Sequence, residues 1–409
     1  MGSGTALCAR PYALRPHRGV ADSEQLAAHP ANPFWNLQLD NRALWNHLQH
    51  LLDRENNPLL WKPSTTEGAA DAWNSTGGSV SGRAHLGCGS PGLASHLAGN
   101  ENFSQQIRDF ILSMHCRDYS LLMDQPSLCG HDGQEAPFLL VAVKSQECNF
   151  ENRQAIRRTV FLLGQQDRSK QPCSRGVDLL KQESDVYGDI LQWGFQDTFF
   201  NLTLKDVLFW AWFSRRCPHA HFVFKGDDDV FVQTPALLEY LRREEKWLDR
   251  RGKSWDFFVG ELIDNATPVR SAAEKYYVPE SFYVGQYPPY ASGGGIIYSG
   301  SLALRLLEVS KQVHLFPIDD VYLGMCLRKL GLAPTHHPGF LIFDFPEKDK
   351  GNSCAYYSIL LVHKRSPTEM QRLWKKLQAP PPECINQTVS AKSAEMPEQP
   401  EESISDRPV

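Results

Sequence analysis

What most constrains the fold of this chain is the unbroken alternation of apolar and amphipathic runs that begins at Phe103. "PFLLVAVKS" reads as a buried strand, "ENRQAIRRT" as a short helix, "VFLLG" as a second strand and "DILQWGF" as a third. "NLTLKDVLFWAWFSRR" repeats its apolar residues at the helical period through Leu204, Val207, Leu208, Ala211 and Trp212. "HFVFKG" returns to strand, "TPALLEYLRREEKWL" is a helix with Thr234 as N-cap and Pro235 at its first position, and "WDFFVGELI" is strand again. Parallel neighbours need a helical crossover, so this alternation predicts an α/β fold, a mostly parallel central sheet flanked by helices. In such sheets ligands lie beyond the carboxyl ends of the strands.

Outside that region the texture changes. Residues 1–62 form an N-terminal segment with one amphipathic helix, in which Leu44, Leu48, Leu51 and Leu52 are the apolar face and Asn57-Pro58 the stop. Residues 63–100 are rich in Gly, Ser, Ala and Thr, a flexible linker, and residues 385–409 are a polar, acidic, proline-rich tail expected to be disordered. No window reaches the roughly twenty apolar residues of a membrane span. The opening "MGSGTALCARPYALRPHRG" also lacks the apolar core of a signal peptide. A net charge of −5 argues against capture of nucleic acid. Ten cysteines and the N-x-S/T sequons at Asn74, Asn102, Asn201, Asn265 and Asn386 point toward an oxidising lumen, although composition alone leaves free cytosolic thiols equally open.

Two acidic clusters stand out. In "FKGDDDVFV" an extended backbone puts Asp227 and Asp229 on one face and Asp228 on the other. Two carboxylates roughly 6 Å apart repel by about 3 kcal/mol at an effective dielectric near 20, a cost that a divalent cation reverses. Carboxylate oxygens suit Mg²⁺ or Mn²⁺. A solvated acidic turn is the alternative, disfavoured by the apolar runs on both sides; an EF-hand loop fails because Val232 and Leu238 stand where glycine and glutamate are needed. The second cluster, Asp319 and Asp320, precedes a helical run from Val321 to Leu330 that ends at Gly331. One aspartate serves as N-cap, which leaves the other available as a general base.

Between the clusters, "YPPYASGGGIIYSG" offers Tyr287 and Tyr290 as flat surfaces and Gly293 to Gly295 as backbone that permits unusual conformations and close approach. Tyr298 stands where a dinucleotide fingerprint needs its third glycine, so the stretch reads as a floor for a sugar or as a tight turn. Arg153, Arg157 and Arg158 suit a diphosphate or a solvated helix face. A lone histidine such as His363, closing "ILLVH", is more often structural than a ligand. On the acidic pairs alone, a metal-dependent phosphoesterase also fits.

Taken together, "FKGDDDVFV", "YPPYASGGGIIYSG", "FPIDDVYLGMCLRKLGL" and "HCRDYSLLMDQPSLC" resemble the β1,3-glycosyltransferases of family 31, especially the β1,3-N-acetylglucosaminyltransferases that extend poly-N-acetyllactosamine. The resemblance runs from Phe103 to Cys384, and "NPFWNLQLDNRALWNHLQHLLDRENNPLL" looks like the same enzymes' N-terminal segment. It implies a GT-A catalytic domain over residues 101–384 with a helical N-terminal extension, UDP-GlcNAc as donor and Mn²⁺ or Mg²⁺ as cofactor. It also implies inversion at the anomeric carbon and a galactose-ended glycan on a glycoprotein or glycolipid as acceptor. By resemblance Asp229 and His363 bind the metal, and Asp227 and Asp228, with Arg153 and Arg157, hold the nucleotide sugar. Asp320 is then the base, and Asp319, Tyr290 and Gly294 face the acceptor. Family members are anchored in the Golgi membrane with a luminal catalytic domain, and a homodimer is compatible with the resemblance.

The chain departs from the family pattern in three places. "RQAIRRT" runs directly into "VFLLG", without the Trp-Gly and connecting stretch found in the family, which bears on the nucleotide end of the sheet and on catalytic competence. The family's N-terminal anchor is not seen, and Ser292 stands where close relatives have another glycine. A β1,3-galactosyltransferase and an inactive glycan-binding paralogue are the alternatives.

Overall fold

The computed structural model describes residues 33–57, 103–130, 136–167, 177–251, 256–345, 349, 352, 354–379, 381 and 384. The proposed linker and acidic tail, and Asn74, Asn102 and Asn386, lie outside them. In chain order the helices are α1 (Leu44–Asn56), α2 (Gln105–Ser113), α3 (Phe150–Ala155), α4 (Val177–Tyr187), α5 (Leu202–Arg216), α6 (Thr234–Arg251), α7 (Gly300–Ser310), α8 (Asp319–Lys329) and α9 (Pro367–Gln378). The strands are β1 (Leu121–Met123), β2 (Leu139–Lys144), β3 (Val160–Gln165), β4 (Ile190–Gln196), β5 (Phe222–Asp227) and β6 (Val230–Val232). They continue with β7 (Phe258–Ile263), β8 (Tyr290–Ser299), β9 (Thr335–His336), β10 (Phe340–Leu341) and β11 (Leu361–His363).

Eight strands form one sheet in the order β1-β4-β3-β2-β5-β8-β7-β9, and β10-β11-β6 form a smaller one. The run β4-β3-β2-β5 is parallel, as is β7 with β9, while β8 runs antiparallel to both β5 and β7 and β1 antiparallel to β4. The alternation expected from the sequence is thus present, with one long reversed strand inserted in it. Because β8 is reversed, its first half lies beside the carboxyl end of β5, with Gly226 opposite Gly295. That is where the strand order opens a crevice for a ligand.

Period-two patterning splits the core between the two faces of the sheet. Val223, Ile296 and Tyr298 face α5, α7 and α8, whereas Phe222, Phe224 and Ile297 face Leu237 and Leu241 of α6 and Leu361 of β11. The β2 to β3 crossover closes with its short connection as it stands: Arg158 turns the chain at a φ of 78°, and Ala142, Val143 and Lys144 pair in register with Val160, Phe161 and Leu162.

Two expectations shift on inspection. The side chain of Gln233 accepts from Ala236 N at 2.7 Å, so the cap of α6 lies one residue before Thr234 and Pro235 is second, not first. In α1 the helix forms as expected and ends at Asn56, but its buried face carries Trp45, Asn46, Gln49 and Asp53 beside Leu44, and Leu51 is exposed. The first amides of α1 donate to the carbonyls of Ser281 and Phe282. Trp45 Nε1 donates to Leu315 O at 3.1 Å, its ring edge-on to Tyr283 and Phe316. Gln49 bridges Gln312 O and His314 N, and Asp53 pairs with Lys329 at 2.5 Å. A polar face here is a docking face, and the N-terminal segment shares the core of the sheet.

Disulfides join Cys129 to Cys217 and Cys354 to Cys384, and Cys116 and Cys148 are also disulfide-bonded. Among the described residues no helix is long and apolar enough to cross a membrane.

Candidate active site

The end of β5 and the turn into β6 carry the aspartate triplet. Asp228 turns inward and is buried, accepting from Ser145 Oγ at 2.6 Å and from the side-chain amides of Asn149 and Asn152 at 2.9 Å each. Burial pushes its carboxyl up while the three donors oppose that shift, so it ties the β5–β6 turn to the loop after β2. These donors occupy the side chain that the sequence reading assigned to the nucleotide.

Asp227 and Asp229 emerge on the other side. With His363 they bring three ligand atoms within 4.8 Å of one another, the one such group among the described residues. β11 delivers His363 from far along the chain by pairing antiparallel to β6, so that His363 stands opposite Val230. Its Nδ1 lies 3.2 Å from the carbonyl oxygen of Ile342, an acceptor, which fixes the proton on Nδ1 and aims Nε2 at Asp229 Oδ1, 3.2 Å away. The hydrogen bond to Asp229 raises the imidazole above its usual range. Two carboxylates, an imidazole and an outer-shell carbonyl form a donor set suited to a divalent cation.

Lys144, at the end of β2 and in register with Asp227, links the two acidic clusters. Its buried ammonium lies 3.2 Å from Asp227 Oδ1 and 2.6 Å from Asp319 Oδ2. Burial works against the charge, but the surrounding carboxylates outweigh it and hold Lys144 well above its ordinary value.

Neither aspartate of the second cluster caps its helix: the N-cap of α8 is Ile318, without a side-chain bond, and both aspartates lie in the first turn. There they face the positive end of the helix dipole. Their environments then separate them. Burial raises Asp319, but Lys144 and Lys225 more than offset it and keep its carboxyl below the usual range. Asp320 is half-buried; burial and then repulsion from Asp319 push it up to about 7. Gly293 N–H donates to it.

The glycine run serves this geometry. Gly293 to Gly295 lie inside β8 rather than in a turn, and none has a positive φ. What they supply is space: a Cβ on Gly293 would sit 2.0 Å from Asp320 Oδ1, and one on Gly295 2.5 Å from Leu361. A Cβ on Gly294 would sit 3.0 Å from Ile342 and 3.5 Å from the ring of His363, which places it at the histidine side of the crevice. Tyr290 is half-buried beside Asp320, whose charge adds to burial in pushing its phenol up to about 12. Tyr287 is core, packed on Tyr283 and Phe316, and offers no ligand surface.

The arginines are spoken for. Arg153 is fully buried and all five of its N–H groups are used, on Glu183, Ser145 Oγ and the carbonyls of Gln146 and Glu147. Arg157 pairs with Glu183 and Asp189 and stacks over Tyr187 at 3.9 Å. Arg153 has no N–H left for a diphosphate and Arg157 only a buried Nε; they brace the segment of α3 against α4 and the start of β4. Sequence reasoning missed Lys144, Lys225 and the Ser145, Asn149 and Asn152 donors. The signal was present in "VAVKS" and "VFKGD", where a lysine interrupts each of two strands at an inward position.

A base candidate and a cation-ready cluster, joined by one buried lysine, lie beyond the strand ends of a mixed sheet flanked by helices, an architecture consistent with the GT-A glycosyltransferase class. Residues 146–338 match the family model described as "Galactosyltransferase". The chain is 45% identical over 371 residues to N-acetyllactosaminide beta-1,3-N-acetylglucosaminyltransferase 2 of Homo sapiens, covering 87% of this chain and 89% of that protein, with the same figures for the Mus musculus protein. It is 38% identical over 319 residues to Acetylgalactosaminyl-O-glycosyl-glycoprotein beta-1,3-N-acetylglucosaminyltransferase of Homo sapiens, with 73% and 80% covered. With identity of this extent along most of its length, the chain belongs to the family 31 β1,3-glycosyltransferases.

Proposed function

We propose that this chain is an inverting hexosyltransferase that moves N-acetylglucosamine from UDP-GlcNAc onto the 3-hydroxyl of galactose-ended N-acetyllactosamine glycans. The observation that carries the reading is the pairing of Asp320, raised to about 7, with the separate Asp227, Asp229 and His363 cluster across Lys144. A general base works best with a pKa near the operating pH. Asp320 accepts the proton of the acceptor hydroxyl as that oxygen attacks C1 of the donor sugar from the face opposite UDP. Asp319 stays anionic beside it and orients the acceptor, and Tyr290 lines the same mouth. Lys144 neutralises Asp227 and Asp319 at once, so that both ends of the reaction centre tolerate burial.

Asp227, Asp229 and His363 would hold the divalent ion, with Mn²⁺ favoured over Mg²⁺ by the imidazole, and the ion supplies positive charge for the departing diphosphate. The relatives' printed names favour N-acetylglucosamine over galactose as the donor sugar. The disulfides support a luminal site of action, as in the Golgi.

The test is transfer by purified protein with Mn²⁺, UDP-GlcNAc and N-acetyllactosamine, the product linkage read by NMR. A β1,3-linked N-acetylglucosamine is expected. Transfer from UDP-galactose alone would assign the galactosyl activity instead, phosphate release without acceptor a phosphoesterase, and absence of both UDP binding and turnover a non-catalytic protein.

A further inference from the structure

Beneath the reaction centre lies an ion pair that the reaction as described leaves unused. Asp206 of α5 and Lys225 of β5 meet at 2.5 Å, both fully out of solvent. Asp206 Oδ1 has no hydrogen-bond partner. A buried pair of this kind seldom repays its desolvation, and apolar residues of the same volume commonly stabilise as well or better, so stability is a poor account of it. Its position suggests another. Lys225 lies two residues before Asp227 on the same face of β5, beside β2, whose Lys144 bridges Asp227 and Asp319. From there the charge of Lys225 favours the ionised forms of Asp319 and Asp320, and that of Asp206 disfavours the ionised forms of Asp319 and of the Tyr298 phenol.

The ionisable groups facing Asp320 come from five elements: Asp319 beside it on α8, Lys144 on β2, Lys225 on β5, Tyr290 on β8, and Tyr276 in the connection between β7 and β8. Of these, Lys144 is already shared between two carboxylates. Lys225 is the cation whose field on the aspartates is metered by a dedicated partner.

We propose that Asp206 and Lys225 are a positioning pair for the transfer reaction: Asp206 sets how much of the Lys225 field reaches Asp319 and Asp320, and so fixes the pH at which the base becomes available. This rests on the reading of Asp320 as base. The pair touches no substrate and acts only through the two aspartates.

The two partners have opposite signs, which a purely structural role would not reproduce. Asp206→Asn frees the field of a lysine that Asp319 and Asp320 keep charged and should lower the titration of Asp320, while Lys225→Met removes the cation, leaves the buried Asp206 to take up a proton, and should raise it, each by about one pH unit. The measurement is the titration of the Asp320 carboxyl by ¹³C NMR on aspartate-labelled full chain, the resonance assigned with Asp320→Asn. It needs no turnover. Opposite shifts support the proposal, and shifts in one direction or none overturn it. If Lys225→Met fails to fold, Asp206→Asn alone decides, because only a downward shift is compatible. Where transfer is measurable, the acid limb of kcat/KM should move with the NMR titration. A protein that titrates as expected yet transfers nothing would overturn the transferase reading and leave the pairing intact.

Discussion

Asp319 and Asp320 are sequence neighbours with opposite electrostatic fates, and the separation sets two expectations. As a base, Asp320 works only when ionised, so kcat/KM should climb with pH through about 7. Asp320→Asn should cost about 10²-fold to 10⁴-fold in kcat while UDP binding, measured by calorimetry, persists. The same raised value has a stability sign. Between the unfolded carboxyl range and about 7 the folded chain holds a proton that the unfolded chain has lost, so stability falls as pH rises through that window. Asp320→Asn should therefore be more stable than the parent above that window, on the order of 1–2 kcal/mol by denaturant titration at pH 7.5. Asp228 tells the reverse story: Asp228→Ala strands the buried Ser145 hydroxyl and the part-buried amides of Asn149 and Asn152, and should cost about 1–3 kcal/mol in the same assay. At this scale the sequence showed the acidic triplet and the Asp pair, because like charges beside apolar runs are conspicuous, whereas His363 stood out only through the family resemblance. It could not show Lys144 between them, because a bridge across two strands exists only once their register is set.

Among the elements, α1 was legible as a helix but not for the face it buries. Leucine spacing marks an apolar stripe, whereas this helix docks through Trp45, Gln49 and Asp53, whose partners at Leu315, Gln312, His314 and Lys329 come from a part of the chain that no local window reaches. Trp45→Ala should cost about 3–5 kcal/mol in global stability by denaturant titration, rather than releasing only the N-terminal segment. β8 was hidden for a related cause. Three glycines in a row look like a turn, and only the side chains that crowd against them reveal a strand thinned to let Asp320 and Leu361 approach.

For the molecule as a whole, most of the order of strands and helices from β2 to β7 follows from hydrophobic period, with α4 and β6 unread, while the reversed β8 and the small β10-β11-β6 sheet depend on pairings remote in sequence. Remote closure is also what the Cys129–Cys217 disulfide provides, spanning 88 residues and most of the parallel half of the sheet. Replacing both cysteines by alanine should lower stability by about 2–5 kcal/mol, read as a drop in the thermal midpoint under non-reducing conditions. Gly293 has the opposite scale of cause. A methyl group there meets the end of one flexible carboxylate rather than backbone, so the fold has room to yield and the base does not. Since glycine and alanine codons differ by one base, Gly293→Ala is a variant that sequencing would score as conservative, yet the folded chain it yields should be short of transfer activity because the added methyl displaces the Asp320 carboxylate.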